Sequence, residues 1–282
     1  MIESILFGNM LMPEQNLRLL IAFLGLAATT YYDLFNNKNI PEKILFAFLG
    51  ISILFNFIFF DQTLFIFSLV LAVIVGILGY LLHRAGQIGS ADIFVICSLI
   101  FLVPIHPTYS NLIFNFPFIF SLIVFSGVLF ALYILIYYSY KIMKSKKAKP
   151  NYFSFLIFLP YLFFVYAFLS FPIFSVAYFS IVSIIIFSTV FFLAYKEDIN
   201  KMLAKKIPIK KAEEDDVLAI EYMDKKIMEK YKPEKVLSAK EIQRLKKLKI
   251  KELWVYTELP PFLPFLFAGF ILSVFFANIL IS

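Results

Sequence analysis

Long apolar runs constrain the fold of this chain more than any other feature. Several stretches of about 18 or more mostly apolar residues follow one another, for example residues 63–82 and 173–194. Runs of this length are typical of helices that cross a lipid bilayer. Inside hydrocarbon every backbone N–H and C=O group must be bonded within the protein, which favours helices. The sequence therefore predicts an all-α polytopic membrane protein that is embedded in the lipid bilayer.

The apolar runs predict about eight transmembrane helices, and the chain as a whole divides into four regions. Residues 1–150 would form a membrane core with five spans, and residues 151–195 an additional transmembrane hairpin. Residues 196–258 carry most of the charge, and we predict a small helical polar domain or a partly ordered loop there, with one helix beginning at the capping box Ser238-Ala239-Lys240-Glu241. Residues 259–282 would form the last transmembrane helix.

The fourth predicted span is short. Only twelve residues run from Asp92 to Val103 before Pro104, which is enough for about half to two-thirds of a bilayer. Two interpretations follow. Either the helix continues, kinked, through residues 104–107, or it begins before Asp92 and places this acid slightly inside the membrane. His106 falls on the outer side of the membrane and is expected to be solvated.

The positive charges give an orientation. Eight spans place 25 of the 26 Lys and Arg residues on one side of the membrane and leave only Arg18 on the other. Because basic residues are enriched in cytoplasmic loops, the first side is predicted to be cytoplasmic and both chain ends to lie outside. A basic segment beside membrane helices is a topology signal, so we expect no nucleic-acid partner.

Two aspartates lie at the ends of apolar segments on the predicted cytoplasmic side. Asp33 occurs in Tyr31-Tyr32-Asp33-Leu34, and Asp92 ends Gly89-Ser90-Ala91-Asp92. An acid at this depth is costly and indicates function by default, although a single acid at a span end often only bonds to a neighbour. Asp61 falls on the outer side and is not expected to reach this pair.

Two carboxyl groups held close together can perform acid–base chemistry. They cannot both ionise easily, so one can take a proton from water while the other donates a proton to a carbonyl oxygen. The pair titrates as a unit, and we assign neither role to one residue. The chain has one cysteine, Cys97, and two histidines without an HxxxH pattern, so no disulfide framework, metal site or cofactor is expected.

These residues resemble a known family. Tyr32-Asp33, a polar loop, Ile40-Pro41 and then Gly89-Ser90-Ala91-Asp92 are similar to the archaeal type IV prepilin and preflagellin peptidases, which are GxGD-type membrane aspartyl proteases. The resemblance covers about residues 16–140 and returns at residues 253–260. It implies that Asp33 and Asp92 are catalytic and that Gly89 is the motif glycine. It also implies that Tyr32, Pro41, Ser90 and Ala91 belong to the motif or help to position the two aspartates.

The chain departs from the family pattern at two places. Ala91 stands where the GxGD motif has its second glycine, and the hairpin at residues 151–195 exceeds the usual six spans. The resemblance implies that residues 1–150 form the catalytic core. It further implies a protein of the cell membrane that cuts class III-type leader peptides from prepilin-like substrates at the cytoplasmic face. Bacterial relatives also methylate the new N-terminus, but this chain lacks a Gly-rich cofactor signature and no methyltransferase activity is expected.

Three alternatives remain open. The substrate could be a preflagellin (archaellin) and not a prepilin. A presenilin-like intramembrane protease also pairs Tyr-Asp with GxGD, but here a polar loop follows Asp33 at once, which favours a site facing the cytoplasm. A proton-coupled transporter could use two acids as a relay, but matched internal repeats and midplane acids would be typical of it, and we find no repeat.

Overall fold

The computed structural model describes residues 10–36, 39–110, 116–145, 148–170, 175–224, 231, 233–248, 250–256 and 260–280. The chain is mostly helical. The helices are α1 (Gln15–Phe35), α2 (Glu42–Ile58), α3 (Gln62–Arg84), α4 (Ser90–Leu102), α5 (Phe118–Lys144), α6 (Phe158–Ser170), α7 (Val176–Ala194), α8 (Lys196–Leu203), α9 (Ala239–Lys247) and α10 (Leu263–Phe276). The strands are β1 (Ala204–Pro208) and β2 (Glu252–Tyr256). Short 3₁₀ segments extend α6 at its start from Tyr152 and α10 at its end to Leu280.

Six of the described helical segments are long and apolar enough to cross a membrane, which confirms a multi-pass membrane protein. They are α1, α3, α5, α6 with its 3₁₀ extension, α7, and α10 with its 3₁₀ extension. The other two predicted spans are also helical but shorter. Helix α2 has 17 residues and α4 has 13, which at 1.5 Å per residue gives lengths of about 25 and 20 Å against a hydrocarbon core of about 30 Å.

Helix α4 ends at Leu102 and does not continue through residues 104–107. The prediction of a kinked continuation is therefore wrong, and the alternative, a helix that begins before Asp92, is observed. Pro104 explains the end, because proline lacks an N–H group and disfavours helical geometry at the preceding residue. The chain then runs as buried, non-helical backbone, and Ile105 pairs in a single antiparallel bridge with Pro117.

His106 lies inside this non-helical segment and is only 4% exposed. Its Nε2 atom is 3.2 Å from the hydroxyl of Ser121 on α5, and its ring packs between Phe116 and Phe118. The prediction of a solvated His106 is therefore wrong. The reason is that the short α4 lets the following segment fold against α5 instead of passing into solvent.

A buried arginine completes the hydrogen bonding at the end of α4. Arg18 is 1% exposed, and its Nη1 donates to the carbonyls of Phe101 and Leu102, both at 3.2 Å. It also donates to the Asn56 side chain at 3.0 Å, and Asn56 in turn donates to the Phe101 carbonyl at 2.8 Å. Non-helical backbone is tolerated at membrane depth only where its polar groups are bonded within the protein, and here α1 and α2 supply the donors.

Close helix packing surrounds the two aspartate-bearing helices. Helix α4 packs against α2 and α3, and α10 packs against α5 and α1. A Cβ atom added at Gly79 on α3 would lie 3.0 Å from Ile93 on α4, so the absence of a side chain there permits the close approach of the two helices. The additional hairpin packs through α7 against α5.

The polar region forms a small domain of mixed structure. Strand β1 pairs with β2 in an antiparallel register that sets Ala204 opposite Tyr256, so the prediction of a wholly helical domain is wrong. Leu253 and Val255 of β2 are buried, and the residues that alternate with them are exposed or partly buried, which is typical of a strand with one buried face. The predicted start of α9 is confirmed, since the backbone N–H of Glu241 donates to the Ser238 hydroxyl at 3.2 Å. The domain has its own apolar core, which includes the fully buried Leu218, Leu237, Leu245, Leu253 and Val255.

Candidate active site

Asp33 lies in the last turn of α1 and is 7% exposed. One oxygen of its carboxyl group, Oδ2, accepts the backbone N–H of Leu263 at 3.2 Å. Leu263 is the first residue of α10, whose opening N–H groups have no partner within the helix. Thr30, one turn earlier on α1, donates its hydroxyl to the Leu263 carbonyl at 3.4 Å. Asp33 therefore lies at the N-terminus of the last helix.

Asp92 is the third residue of α4 and is partly buried. Its Oδ2 atom accepts the backbone N–H of Gly89, the N-cap residue, at 3.2 Å. This is the carboxylate half of a capping box, and it fixes the side chain against the loop that precedes the helix. Asp92 therefore also lies at a helix N-terminus, in this case that of its own helix.

The structure brings the two carboxyl groups to one end of the helix bundle. Arg18, near the start of α1, bonds carbonyl groups at the end of α4, and the two helices pack together. The end of α1 that carries Asp33 and the start of α4 that carries Asp92 therefore lie on the same side. Each carboxyl group lies at a helix N-terminus, where partial positive charge and free N–H groups favour an anion. These N-termini offset part of the cost of placing carboxylates beside apolar helices.

The predicted motif residues occupy distinct positions around the pair. Gly89 supplies its N–H to Asp92, and Ser90 opens α4 and contacts the polar domain through Asp215. Ala91 packs against the apolar core of the membrane region, so a small side chain is accommodated where the family motif has glycine. Tyr32 packs against the same core, and Pro41 is the N-cap residue of α2.

Asp61 lies at the opposite end of the bundle, as predicted. Its carboxylate accepts the N–H of Leu64 at 2.9 Å and caps α3. Its charge acts on Arg18, which bonds the end of α4 farthest from Asp92. Asp61 is therefore a capping residue outside the candidate site.

Sequence reasoning missed two parts of this site. The first is the backbone N–H group of Leu263. A backbone group has no side chain of its own, so the sequence contains no pattern that indicates it. The second is Asp215, whose Oδ2 accepts the Ser90 hydroxyl at 2.5 Å and whose Oδ1 lies 3.6 Å from Nε2 of His83. The acidic run at residues 213–216 is visible in the sequence, but nothing local indicates that one of its members reaches the loop before Asp92.

Neither a metal cluster among the described residues nor a match to a known protein identifies this site further. Among the described residues, no cluster of three or more His, Cys, Asp or Glu side chains is arranged to hold a metal ion. Comparisons of the chain with protein-family models and with curated proteins, and of its fold with solved structures, found no match.

Proposed function

We propose that this protein is a membrane aspartic endopeptidase that removes the N-terminal leader of type IV prepilin-like proteins. The observation that supports this most directly is the pair of carboxyl groups of Asp33 and Asp92. The two residues are 59 positions apart in the sequence and lie on neighbouring helices at one end of the bundle. The order and spacing of the motif around them, which resemble those of the GxGD peptidases, define the substrate class.

The chemistry uses the pair as one acid–base unit. The ionised carboxylate takes a proton from a water molecule, and the water oxygen attacks the carbon of the scissile peptide carbonyl. The protonated carboxyl group donates its proton to the carbonyl oxygen, giving a neutral tetrahedral diol. The carboxyl group that took the proton from water then gives it to the amide nitrogen, and the C–N bond breaks. The other carboxylate takes a proton from one diol hydroxyl, so the products are a carboxylic acid and an amine and the pair again holds one proton.

We propose that the site faces the cytoplasm and that all eight apolar helices cross the membrane. The two short helices are complemented by non-helical backbone such as residues 103–107, which is buried against its neighbours. Eight crossings place nearly all Lys and Arg residues on the side of the polar domain, in agreement with the enrichment of basic residues in the cytoplasm.

The position of the pair suits a substrate that is polar on one side of the cut and apolar on the other. Asp92 lies where the apolar helices meet the polar domain, since it is two residues from Ser90, which contacts Asp215. A class III-type leader would stay on the aqueous side while the apolar N-terminal helix of the substrate remained among lipids. A preflagellin is also divided into a leader and an apolar helix, so cleavage of the two substrates must be compared directly.

The test is cleavage of a tagged prepilin by membranes that contain the full chain. We expect Asp33→Asn and Asp92→Asn each to reduce processing by at least about a hundredfold, because each removes one member of the acid–base pair. The product N-terminus is identified by mass spectrometry, and a preflagellin is assayed in parallel.

Asp61→Asn is the matched control. It makes the same chemical change at the other end of the bundle, and the asparagine oxygen can still accept the N–H of Leu64. We expect wild-type processing from this variant. Full processing by either Asp33→Asn or Asp92→Asn would contradict the proposed mechanism, and cleavage of neither substrate by the wild-type protein would contradict the proposed activity.

A further inference from the structure

The polar domain contacts the loop that leads to Asp92. Asp215 accepts the Ser90 hydroxyl at 2.5 Å through Oδ2, and its Oδ1 lies 3.6 Å from His83 Nε2. Ser90 opens α4, and His83 lies in the last turn of α3. One carboxylate of the polar domain therefore bridges the two helices on either side of the loop at residues 85–89.

Two further contacts join the same surfaces. Gly86 has φ of +69°, and a Cβ atom there would lie 2.9 Å from Val217, so glycine is required both for the backbone conformation and for the approach of the domain. Arg84 pairs with Glu234 at 3.6 Å. The contact is therefore a surface with apolar and charged parts and extends beyond a single hydrogen bond.

Backbone hydrogen bonds hold Asp215 on its own side of the contact. Its φ is +69°, a left-handed conformation that is uncommon for residues other than glycine but accessible to Asp and Asn. Its backbone N–H donates to the carbonyl of Leu237 at 2.9 Å, and Leu237 in turn donates to Asp216 at 2.9 Å. Because Leu237 is fully buried in the domain core, the position of Asp215 follows that of the whole domain.

The first turn of α4 connects the Ser90–Asp215 contact to the candidate site. Ser90 and Asp92 are the first and third residues of α4, and Gly89 just before them donates its N–H to the Asp92 carboxylate. A displacement of Ser90 therefore also moves Gly89 and Asp92.

We propose that Asp215 is a positioning residue, through which the polar domain holds the N-terminus of α4 and thereby sets the place of Asp92 relative to Asp33. The consequence for catalysis rests on the peptidase function proposed above. The contact itself does not, and the two are tested separately.

The contact is tested by cross-linking in the full chain. Cys97 is the only native cysteine, and a Cys97→Ala background carries the pair Arg84→Cys and Glu234→Cys, which leaves Ser90 and Asp215 unchanged. A short bifunctional thiol reagent should join residues 84 and 234 within one chain in native membranes, as detected by mass spectrometry of linked peptides. The link should be lost when the protein is denatured in detergent before treatment, and each single-cysteine variant controls for links between chains. Absence of the intramolecular link in native membranes would overturn the proposal.

The positioning role is tested by the cleavage assay with two substitutions at one residue. Asp215→Gly keeps the left-handed backbone accessible and removes the carboxylate. We expect it to lower kcat by about ten- to a hundredfold with KM changed by less than about threefold, because a misplaced Asp92 impairs the chemical step. Asp215→Asn keeps an oxygen acceptor for Ser90 and tolerates the same backbone, so it should recover most of the rate.

Glu213→Gln is the matched control, because it removes one negative charge from the same acidic run at an exposed side chain. It should process as the wild type does. An unchanged kcat in Asp215→Gly, or an equal loss in Glu213→Gln, would overturn the positioning role. Failure of the wild-type protein to cleave would instead contradict the proposed peptidase function and would leave the cross-linking result as the test of the contact.

Discussion

The carboxylate of Asp33 accepts a 3.2 Å hydrogen bond from the backbone N–H of Leu263, which lies 230 positions later in the chain. This bond satisfies an open donor at the start of α10, and the hydroxyl of Thr30 bonds the carbonyl of the same residue. The first and last helices are therefore joined at the candidate site. Asp33 has a structural role as a helix cap in addition to the chemical role proposed for it.

The two roles of Asp33 can be separated by two substitutions. Asp33→Asn keeps an oxygen that can accept the Leu263 N–H, whereas Asp33→Ala removes the cap as well. We expect both variants to lose processing, and only Asp33→Ala to lose about 1 kcal/mol of stability. Thermal unfolding of the solubilised protein is the measurement. An equal loss of stability in both variants would show that the cap needs the negative charge and not only an acceptor.

Arg18 is expected to stabilise the bundle because it donates hydrogen bonds to the carbonyl groups at the end of α4. Arg18→Met keeps an apolar stem but leaves the Leu102 carbonyl without the donor it has now. A buried acceptor that loses its partner costs about 1–3 kcal/mol, so the free energy of unfolding should fall by about 2 kcal/mol. Lys43→Met, which removes the charge of an exposed side chain at the start of α2, is the control and should be nearly neutral. An Arg18→Met protein as stable as the wild type would show that the bonds from Arg18 do not stabilise the end of α4.

Close packing of α10 on α5 should not tolerate an added methyl group. A Cβ atom at Gly269 would lie 2.8 Å from the backbone nitrogen of Ser126 and would also overlap the Ser126 hydroxyl. We expect Gly269→Ala to destabilise the protein by about 1–3 kcal/mol, because the helices must move apart. Unfolding in detergent measures the change. Gly127→Ala on α5, where a Cβ atom meets open space, should be neutral or slightly stabilising, and similar losses in both variants would refute the packing argument.

The polar domain should become less stable as the pH rises through the titration range of Asp216. Burial raises the pKa of the Asp216 carboxyl group above its usual value, although its bond to the Glu213 N–H acts in the opposite direction. The folded domain therefore binds more protons than the unfolded chain between the usual pKa and the raised one, and its stability falls with pH across that window.

Replacement of Asp216 by Asn tests this pH dependence. Asp216→Asn should be more stable than the wild type at neutral pH, and the difference should vanish at pH values below the usual carboxyl pKa. The only tryptophan, Trp254, lies in β2 of the polar domain, so its fluorescence reports thermal unfolding of this domain at each pH. A difference between wild type and variant that is constant with pH would rule out the titration of Asp216 as the cause.

The positions of the helices could be predicted because local sequence determines them. The end of α3 at Arg84 and the start of α7 at Val176 lie within three residues of the predicted span limits, since apolar runs and flanking polar residues mark them. The polar domain was harder to predict. Its strands are five residues long and are separated by 43 intervening residues, and short amphipathic segments are ambiguous when the partner strand is unknown.

Arg18 and Asp215 show which features of the site sequence reasoning could not reach. Charge counting placed Arg18 correctly at the end opposite Asp33, but its burial depends on carbonyls of α4 that are 83 and 84 positions away. Asp215 belongs to a visible acidic run, yet its contact with Ser90 spans 125 positions. Such contacts depend on how helices and the polar domain pack, and local periodicity carries no information about them.

The sequence by itself determined a multi-pass helical membrane protein, because bilayer thickness sets the length of apolar helices, and it predicted two acids at one depth. Only the tertiary structure decided that the start of α10 bonds Asp33, that Asp92 caps its own helix at the same end of the bundle, and that Asp215 bonds the start of that helix. The physical reason is that hydrophobicity is a local property of each segment, whereas hydrogen bonds between helix ends and loops form only once the segments have packed together.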